Sequence, residues 1–592
     1  MITTILGLLL LLAPFLLIFC FDNRYRGFLY IFSASVVWHL LIALITQSLN
    51  IFTYEVIISL NILIALVSLF YLIKKIKPNS FRISLNYLAI AAFLIIIFEL
   101  WSVHYFYTGA VNTINGPIEK TRASNQYPYF SDEWVGVALV NFAIENKSLP
   151  NNNPLIEKGT NNHFSNVLVC FFSIVAEIFL LLNLNPLTGY PILTIFSGFL
   201  VCLLVYIFLK LNKLKDSSAI LATLFIPLIT NGSNLPGIWY FIPFVGGVIL
   251  FIVSLSALTI KDQRLFYLSA FLASILYPPI ILFIFGSFFI NIITKKNENN
   301  KLRSLVFGSI LFLVSALIII ILQKIDFWSL IKIIKSTIFY TSLDPGIASY
   351  PIWLIIPFIA LPFSIFGLYI LVQKKMYFLL APIISGLILW LTYSQSNGFF
   401  VISYERNVVI TSYLLIISSA FAWDYLLEKL SKQKPVFRKP IFITSLGLII
   451  ITIFAIHSLS YTEKNNWSVL TFKLENRLGT QSLKPNPPAN QYLTNEDLNI
   501  FTSIKNKNFL SLPWKALVVG AATNNYPLDS KPSFITNYIV NYGNFMNSDC
   551  QEKEKLAKKN KLHYVYSTAF ACNNFIELKK SQEGLYLYKF NK

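Results

Sequence analysis

Apolar runs of roughly 18 or more residues recur along the first 460 positions of this chain, and each is long enough to cross a bilayer. No water-soluble fold of this size needs so much apolar surface: 56% of the residues are hydrophobic, 12% are charged, and the mean hydropathy is +0.64. The recurrence predicts an all-α polytopic membrane bundle. The 52 Phe, with abundant Ile and Leu, suit lipid-facing helices.

The net charge of +20 raises the question of a nucleic-acid partner. Its distribution argues against one. Lys and Arg fall in short loops between apolar runs, which is an orientation signal, and no basic stripe lies on a soluble segment. The basic loops are Arg24/Arg26, Lys74 to Arg82, Lys210 to Lys215, Lys261/Arg264, Lys295 to Arg303, Lys374/Lys375 and Lys429 to Lys439. With all of them cytoplasmic, spans near 2–21, 27–48, 55–73 and 84–106 alternate without conflict. The N-terminus and the loop 108–163 then lie outside. The first segment lacks a basic leader and reads as an anchor, not a cleaved signal.

A parity constraint follows. Two apolar segments, about 164–183 and 189–209, separate the outer loop from the cytoplasmic Lys210 cluster, and only an odd number of crossings fits. Glu177 interrupts the first, and charge at mid-bilayer costs a few kcal/mol. That segment is therefore expected to lie along the outer interface with Glu177 toward solvent. Further spans are expected near 217–230, 238–259, 304–323, 351–372, 376–393, 405–424 and 441–460. The run 265–294, flanked by basic loops, is expected to be two short helices hinged at Tyr277-Pro278-Pro279. About 13 transmembrane helices result, with interfacial helices at 164–183 and at Phe327 to Tyr340.

Residues 461–592 are polar and mixed in charge. Strand-like runs at Ala516 to Gly520, His563 to Ser567 and Leu585 to Lys589, with a helical pattern at Glu552 to Asn560, predict a small α/β domain on the outer face. Outside the membrane Cys550 and Cys572 are expected to pair. Cys20, Cys170 and Cys202 lie in apolar segments as small packing residues.

The outer loop carries Phe130-Ser131-Asp132-Glu133-Trp134, and Asp132 and Glu133 open a stretch with helical apolar spacing. Acids at a helix N-terminus gain up to about 1 kcal/mol. One reading is therefore a cap formed by Asp132 or Ser131. Downstream come Pro150, Glu157-Lys158 and His163-Phe164, then the interfacial segment, then a span ending in the Lys210–Lys215 loop.

In this order and spacing, residues 84–300 resemble the GT-C class of integral-membrane glycosyltransferases, such as the protein O-mannosyltransferases and the aminoarabinose transferases of lipid A. The matching elements are Asp132-Glu133-Trp134, Pro150, Glu157-Lys158 and the Lys210–Lys215 loop, with the hinged pair at 265–294. Two positions depart: the second outer loop has Asn231 and Asn234 where many members carry an acid, and Lys158-Gly-Thr-Asn-Asn162 replaces a Lys/Arg-Pro-Pro element. The resemblance implies an N-terminal three-helix extension (1–83), a catalytic membrane region (84–460) and a soluble extracytoplasmic domain (461–592).

It also implies a reaction: transfer of a hexosyl or pentosyl unit from a polyprenyl-phosphate donor, held in membrane lipid, to an acceptor glycan, lipid or protein on the outer face. Asp132 is then the general base, with Glu133 or Glu157 orienting acceptor or base. Arg406, at the outer end of a span, offers fixed donors to the lipid phosphate, or else anchors the interface with Glu405. Lys158 and His163 are second candidates for the phosphate. No cofactor is specified, and divalent metal use is left open, since the class includes members of both kinds. No Walker A loop, CxxC pair or Ser-His-Asp set is present. The alternatives are a transporter or flippase of lipid-linked saccharide, which would place charges and broken helices at the midplane, and a non-catalytic scaffold. The Lys-, Asn- and Ile-rich composition suggests a bacterial inner membrane.

Overall fold

The computed structural model describes residues 2–75, 86–105, 110–113, 116–119, 127–128, 131–151, 153–157, 168–229, 240–294, 356–357, 360–396, 404–433, 492–530 and 539–591, with scattered helical positions between 306 and 317 and between 445 and 452. The expected spans at 304–323 and 441–460 and the interfacial helix at Phe327 to Tyr340 lie largely or wholly outside the described residues.

In chain order the elements begin with α1 (Ile2–Leu12, continued by a 3-10 turn at Ala13–Cys20), α2 (Arg24–Ser48), α3 (Tyr54–Lys75) and α4 (Tyr87–Tyr105). A two-stranded ladder of β1 (Ala110–Thr113) and β2 (Gly116–Glu119) follows, then α5 (Ser131–Asn146), α6 (Val169–Leu182), α7 (Pro186–Leu211), α8 (Asp216–Phe225), α9 (Pro243–Thr259), α10 (Gln263–Leu276) and α11 (Ile281–Ile293). Next come α12 (Ala360–Gln373), α13 (Tyr377–Ser396) and α14 (Tyr404–Gln433). The C-terminal part holds α15 (Asn495–Phe501), β3 (Asn508–Ser511), α16 (Pro513–Thr523), β4 (Tyr526–Pro527), α17 (Tyr542–Asn547), α18 (Cys550–Lys559), β5 (Tyr564–Ser567), β6 (Phe575–Lys580) and β7 (Tyr586–Phe590).

Contacts divide the chain into two compact units. The first contains 1–42, 58–103 and 193–485. Among the described residues, five helices are long and apolar enough to cross a membrane: Ile2–Cys20, Arg24–Ser48, Tyr54–Lys75, Pro186–Leu211 and Arg406–Lys432. The chain is an integral membrane protein. Local chemistry sets the helix ends. Asp262 accepts from Leu265 N at 3.2 Å and caps α10. Pro278 and Pro279 then break α10 from α11 through a short 3-10 turn. α12 runs so close to α14 that a Cβ on Gly367 would strike the Ser418 carbonyl. Ser418 Oγ donates across the same contact to Ser364 O at 2.9 Å.

The second unit contains 43–57, 104–192 and 486–592. Its sheet has the order β4-β3-β5-β7-β6. β3 pairs in parallel with β4 and β5, while β5–β7 and β7–β6 are antiparallel. Leu510, Val565, Phe545, Phe575 and Phe590 form a core beside it. Cys550 and Cys572 form a disulfide with a Cα–Cα distance of 5.6 Å.

Two local expectations are corrected. The run Ala516 to Gly520 is helical, inside α16, not a strand. Pro513 sits in the first turn and pre-sets its φ for the helix. Lys515 to Ala521 are buried without alternation, a pattern that a short apolar run shares between buried strand and buried helix. The strand position is taken by Asn508–Ser511 instead. Glu177 does not face solvent: it is fully buried in α6, as are Phe172, Ser173, Ala176 and Phe179. α6 has 14 residues, about 21 Å of helix. It is wrapped by protein, so its one charge lies against neighbouring residues.

Candidate active site

The site is built on α5, which packs against α6 and, at another face, against α16. Asp132 and Glu133 both fall in its first turn. They differ in exposure: Glu133 is 1% exposed, whereas Asp132 is half-buried and reached by solvent. Trp134 anchors the turn. It is fully buried, and its Nε1 donates to Pro128 O at 2.9 Å. The Tyr127 ring lies 6.4 Å from it, and the Tyr127 hydroxyl donates to Asn495 Oδ1 at 3.0 Å. The chain entering α5 is thus tied to the helix it opens.

Tyr190, in the first turns of α7, completes this layer. It stacks on Phe179 of α6 with centroids 5.7 Å apart. Its hydroxyl lies against Gly136, where any Cβ would collide with it. A glycine one turn after the acids is what lets the phenol approach the α5 backbone. Neither Tyr190 nor Gly136 is singled out by the sequence. The only signal is the Gly189-Tyr190-Pro191 triplet at the start of an apolar span.

Glu157 lies elsewhere in the same unit. Its Oε2 accepts from Asn508 Nδ2 at 3.1 Å, and Asn508 also donates to Lys561 O at 3.2 Å. Glu145, at the other end of α5, accepts from Asn524 Nδ2 at 2.6 Å. Burial, and then the charges of Glu157 and Glu145, push the Tyr526 phenol up from its ordinary value. Both acids thus sit at the β3–β4 end of the sheet and tie residues 145 and 157 to it.

Arg406 belongs to the first unit, near the start of α14. It is half-buried, and its Nη1 donates to the Tyr277 hydroxyl at 3.3 Å. The guanidinium lies 5.7 Å from the centre of the Tyr277 ring. Tyr277 is itself 3% exposed and packs edge-on against Phe244. The Tyr277-Pro278-Pro279 hinge therefore also seats an arginine, a use that the sequence did not reveal. Lys158, His163, Asn231 and Asn234 lie outside the described residues, as does the side chain of Glu405.

A further buried acid, Glu99 in α4, is fully enclosed in the first unit. Among the described residues no three His, Cys, Asp or Glu side chains come together. These residues alone do not supply a donor set for a divalent metal.

No protein-family model and no curated protein matches the chain. Among solved structures it is similar to the oligosaccharyltransferase of Archaeoglobus fulgidus in complex with an inhibitory peptide and a dolichol-phosphate: 12% identity, TM-score 0.47, covering 81% of this chain and 69% of that one. It is also similar to the oligosaccharyltransferase of that organism in complex with Zn and sulfate: 14% identity, TM-score 0.44, covering 85% and 73%. A mycobacterial arabinofuranosyltransferase gives 11% identity and a TM-score of 0.47, covering 86% of this chain and 42% of that one. Likeness at this level leaves the reaction to be read from the chain's own side chains.

Proposed function

We propose that this chain is a glycosyltransferase that moves a sugar from a polyprenyl-phosphate donor to an acceptor hydroxyl on the outer face of the membrane. The observation that carries the reading is the pairing of a solvent-reached Asp132 with a buried Glu133 in the first turn of a helix locked by Trp134 and Tyr190. The turn is packed on the Trp134 and Tyr190 side chains, which gives the carboxylate a fixed place. Asp132 takes the acceptor's proton, the acceptor oxygen bonds to the anomeric carbon, and the bond from that carbon to the phosphate oxygen breaks. Polyprenyl phosphate leaves and stays in the lipid. A positioned base of this kind contributes roughly 10²–10⁴ in rate.

Glu133, buried one residue on, holds the turn and orients Asp132. Glu157 is better explained as a tie to Asn508 than as a second acid. Arg406, steadied on the Tyr277 ring, offers the lipid phosphate a fixed cation, with Lys158 and His163 as further partners. No step is routed through a metal. In this reading residues 84–460 are the catalytic membrane region, 461–592 fold outside, and the N-terminus is also outside. A bacterial inner membrane suits the chain, and the sugar is a hexose or pentose.

The test is reconstitution. The purified chain in vesicles is supplied with synthetic polyprenyl-phosphate sugars and a mixture of glycan, lipid and peptide acceptors. Release of polyprenyl phosphate with incorporation of sugar is expected. Movement of intact donor across the bilayer without cleavage would make the protein a flippase and reject the reading.

A further inference from the structure

Residues 43–57, the end of α2, the turn after it and the start of α3, cluster with the unit that carries Asp132, although these helices precede the region that resembles a catalytic one. Its contact is specific. Gln47, 1% exposed, donates from Nε2 to Ser173 O of α6 at 3.2 Å. Phe52 and Ile57 beside it are buried too. In an α-helix that same carbonyl accepts the N–H of the residue four positions on, which is Glu177. Ser173 and Glu177 therefore share one face of α6, and Gln47 bonds to the backbone group that fixes Glu177. α6 in turn packs against α5, and its Phe179 stacks on the Tyr190 that presses on Gly136.

A buried amide is costly unless bonded, and a hydrogen bond placed away from water is worth more than one on the surface. Burying Gln47 here brings its Nε2 to a carbonyl of α6, while its Oε1 is enclosed with no partner among the described residues. We propose that Gln47 is a positioning residue: the outer turn of the N-terminal extension sets the register of α6, and through it the first turn of α5. The inference rests on the reading of Asp132 as the base. It gives the extension a part in that same site, beyond membrane anchoring.

The test uses the full chain, with Gln47→Met, which keeps the volume and loses the donor, and Gln47→Glu, which as a buried acid keeps one O–H donor. Ile45→Ala, on an exposed face of the same helix, is the control. Hydrogen exchange is followed in peptides from 131–146 and 169–182, and transfer is followed with the synthetic donor that the wild type uses. For Gln47→Met, exchange in both helices is expected to rise roughly tenfold. Its kcat should fall roughly tenfold at unchanged KM for the donor. Gln47→Glu should recover most of both, and Ile45→Ala should match the wild type. Wild-type exchange in Gln47→Met overturns the inference whether or not the protein transfers sugar. Faster exchange with unchanged kcat also overturns it, because the contact would then be structural only. A wild type that transfers nothing while Gln47→Met exchanges faster rejects the glycosyltransferase reading and the proposed role together. The Gln47 contact would then stand as a packing contact alone.

Discussion

Two helices of the second unit begin on an adjacent pair of acids: Asp132-Glu133 in α5 and Glu496-Asp497 in α15. In sequence they look alike, and dipole attraction favours both by up to about 1 kcal/mol. Their neighbours differ. Asp497 closes a capping box with Thr494 and accepts from Lys515 Nζ at 2.6 Å and from the Tyr566 hydroxyl at 2.7 Å. Lys515 bonds Glu583 as well, at 2.6 Å, and Glu496 accepts from Gln582 N at 2.7 Å. That pair is consumed in tying α15 to α16, β5 and the turn before β7. In α5 the buried member, Glu133, sits in the packed layer, and Asp132 is half-buried, as Glu496 is. An acid pair at a helix start is therefore no functional signal by itself. Burial does not separate the two pairs, since each has one buried and one half-buried member; substitution does.

The contrast can be broken at several points. The largest effect should come from Lys515→Met, which leaves the buried Asp497 and the half-buried Glu583 without their cation. A loss of about 3–5 kcal/mol is expected, measured by denaturant unfolding of the second unit in the full protein. A loss under 1 kcal/mol would mean that the α15 pair is not held as described. Replacing Cys550 and Cys572 with Ser removes a link across a sequence separation of 22. It should cost about 3 kcal/mol in the same assay. Gly136→Ala forces Tyr190 to shift and should cost about 1–3 kcal/mol, with transfer reduced more than stability alone explains. A wild-type rate in that variant would separate Tyr190 from the site.

The smallest effect concerns pH. Burial raises the Glu583 carboxyl, only partly offset by Lys515 and reinforced by the Asp497 charge. The folded state then holds this proton more tightly than the unfolded chain does. Between the ordinary glutamate value and the raised one, stability should fall as pH rises. Glu583→Gln should flatten that slope, as read from unfolding midpoints across the window.

Much of the architecture was legible because apolar length is a strong signal. Charge placement located the helix ends near Arg24, Lys74 and Lys210, and Pro278-Pro279 gave the break between α10 and α11. Tyr564–Ser567 and Tyr586–Phe590 were readable as strands from their alternating aromatics. Ala516 to Gly520 was not, since full burial erases the alternation that distinguishes strand from helix. Glu177 was misplaced because a charge in an apolar run suggests an exposed face, whereas here protein surrounds it. In the candidate site, Asp132 and Glu133 stood out by type and position. Tyr190, Gly136 and Asn508 did not, because their roles arise from contacts between segments far apart in the chain. Asn508 and Glu157, for example, are 351 positions apart.

The most direct test is a paired measurement on Asp132→Asn, with transfer rate and unfolding midpoint taken from one preparation. The substitution keeps the shape and removes the base. The account predicts a rate lowered by about 10²–10⁴ at a midpoint indistinguishable from the wild type. A retained rate, or a rate lost only in step with a collapsed midpoint, would make Asp132 a cap like Asp497 and contradict it.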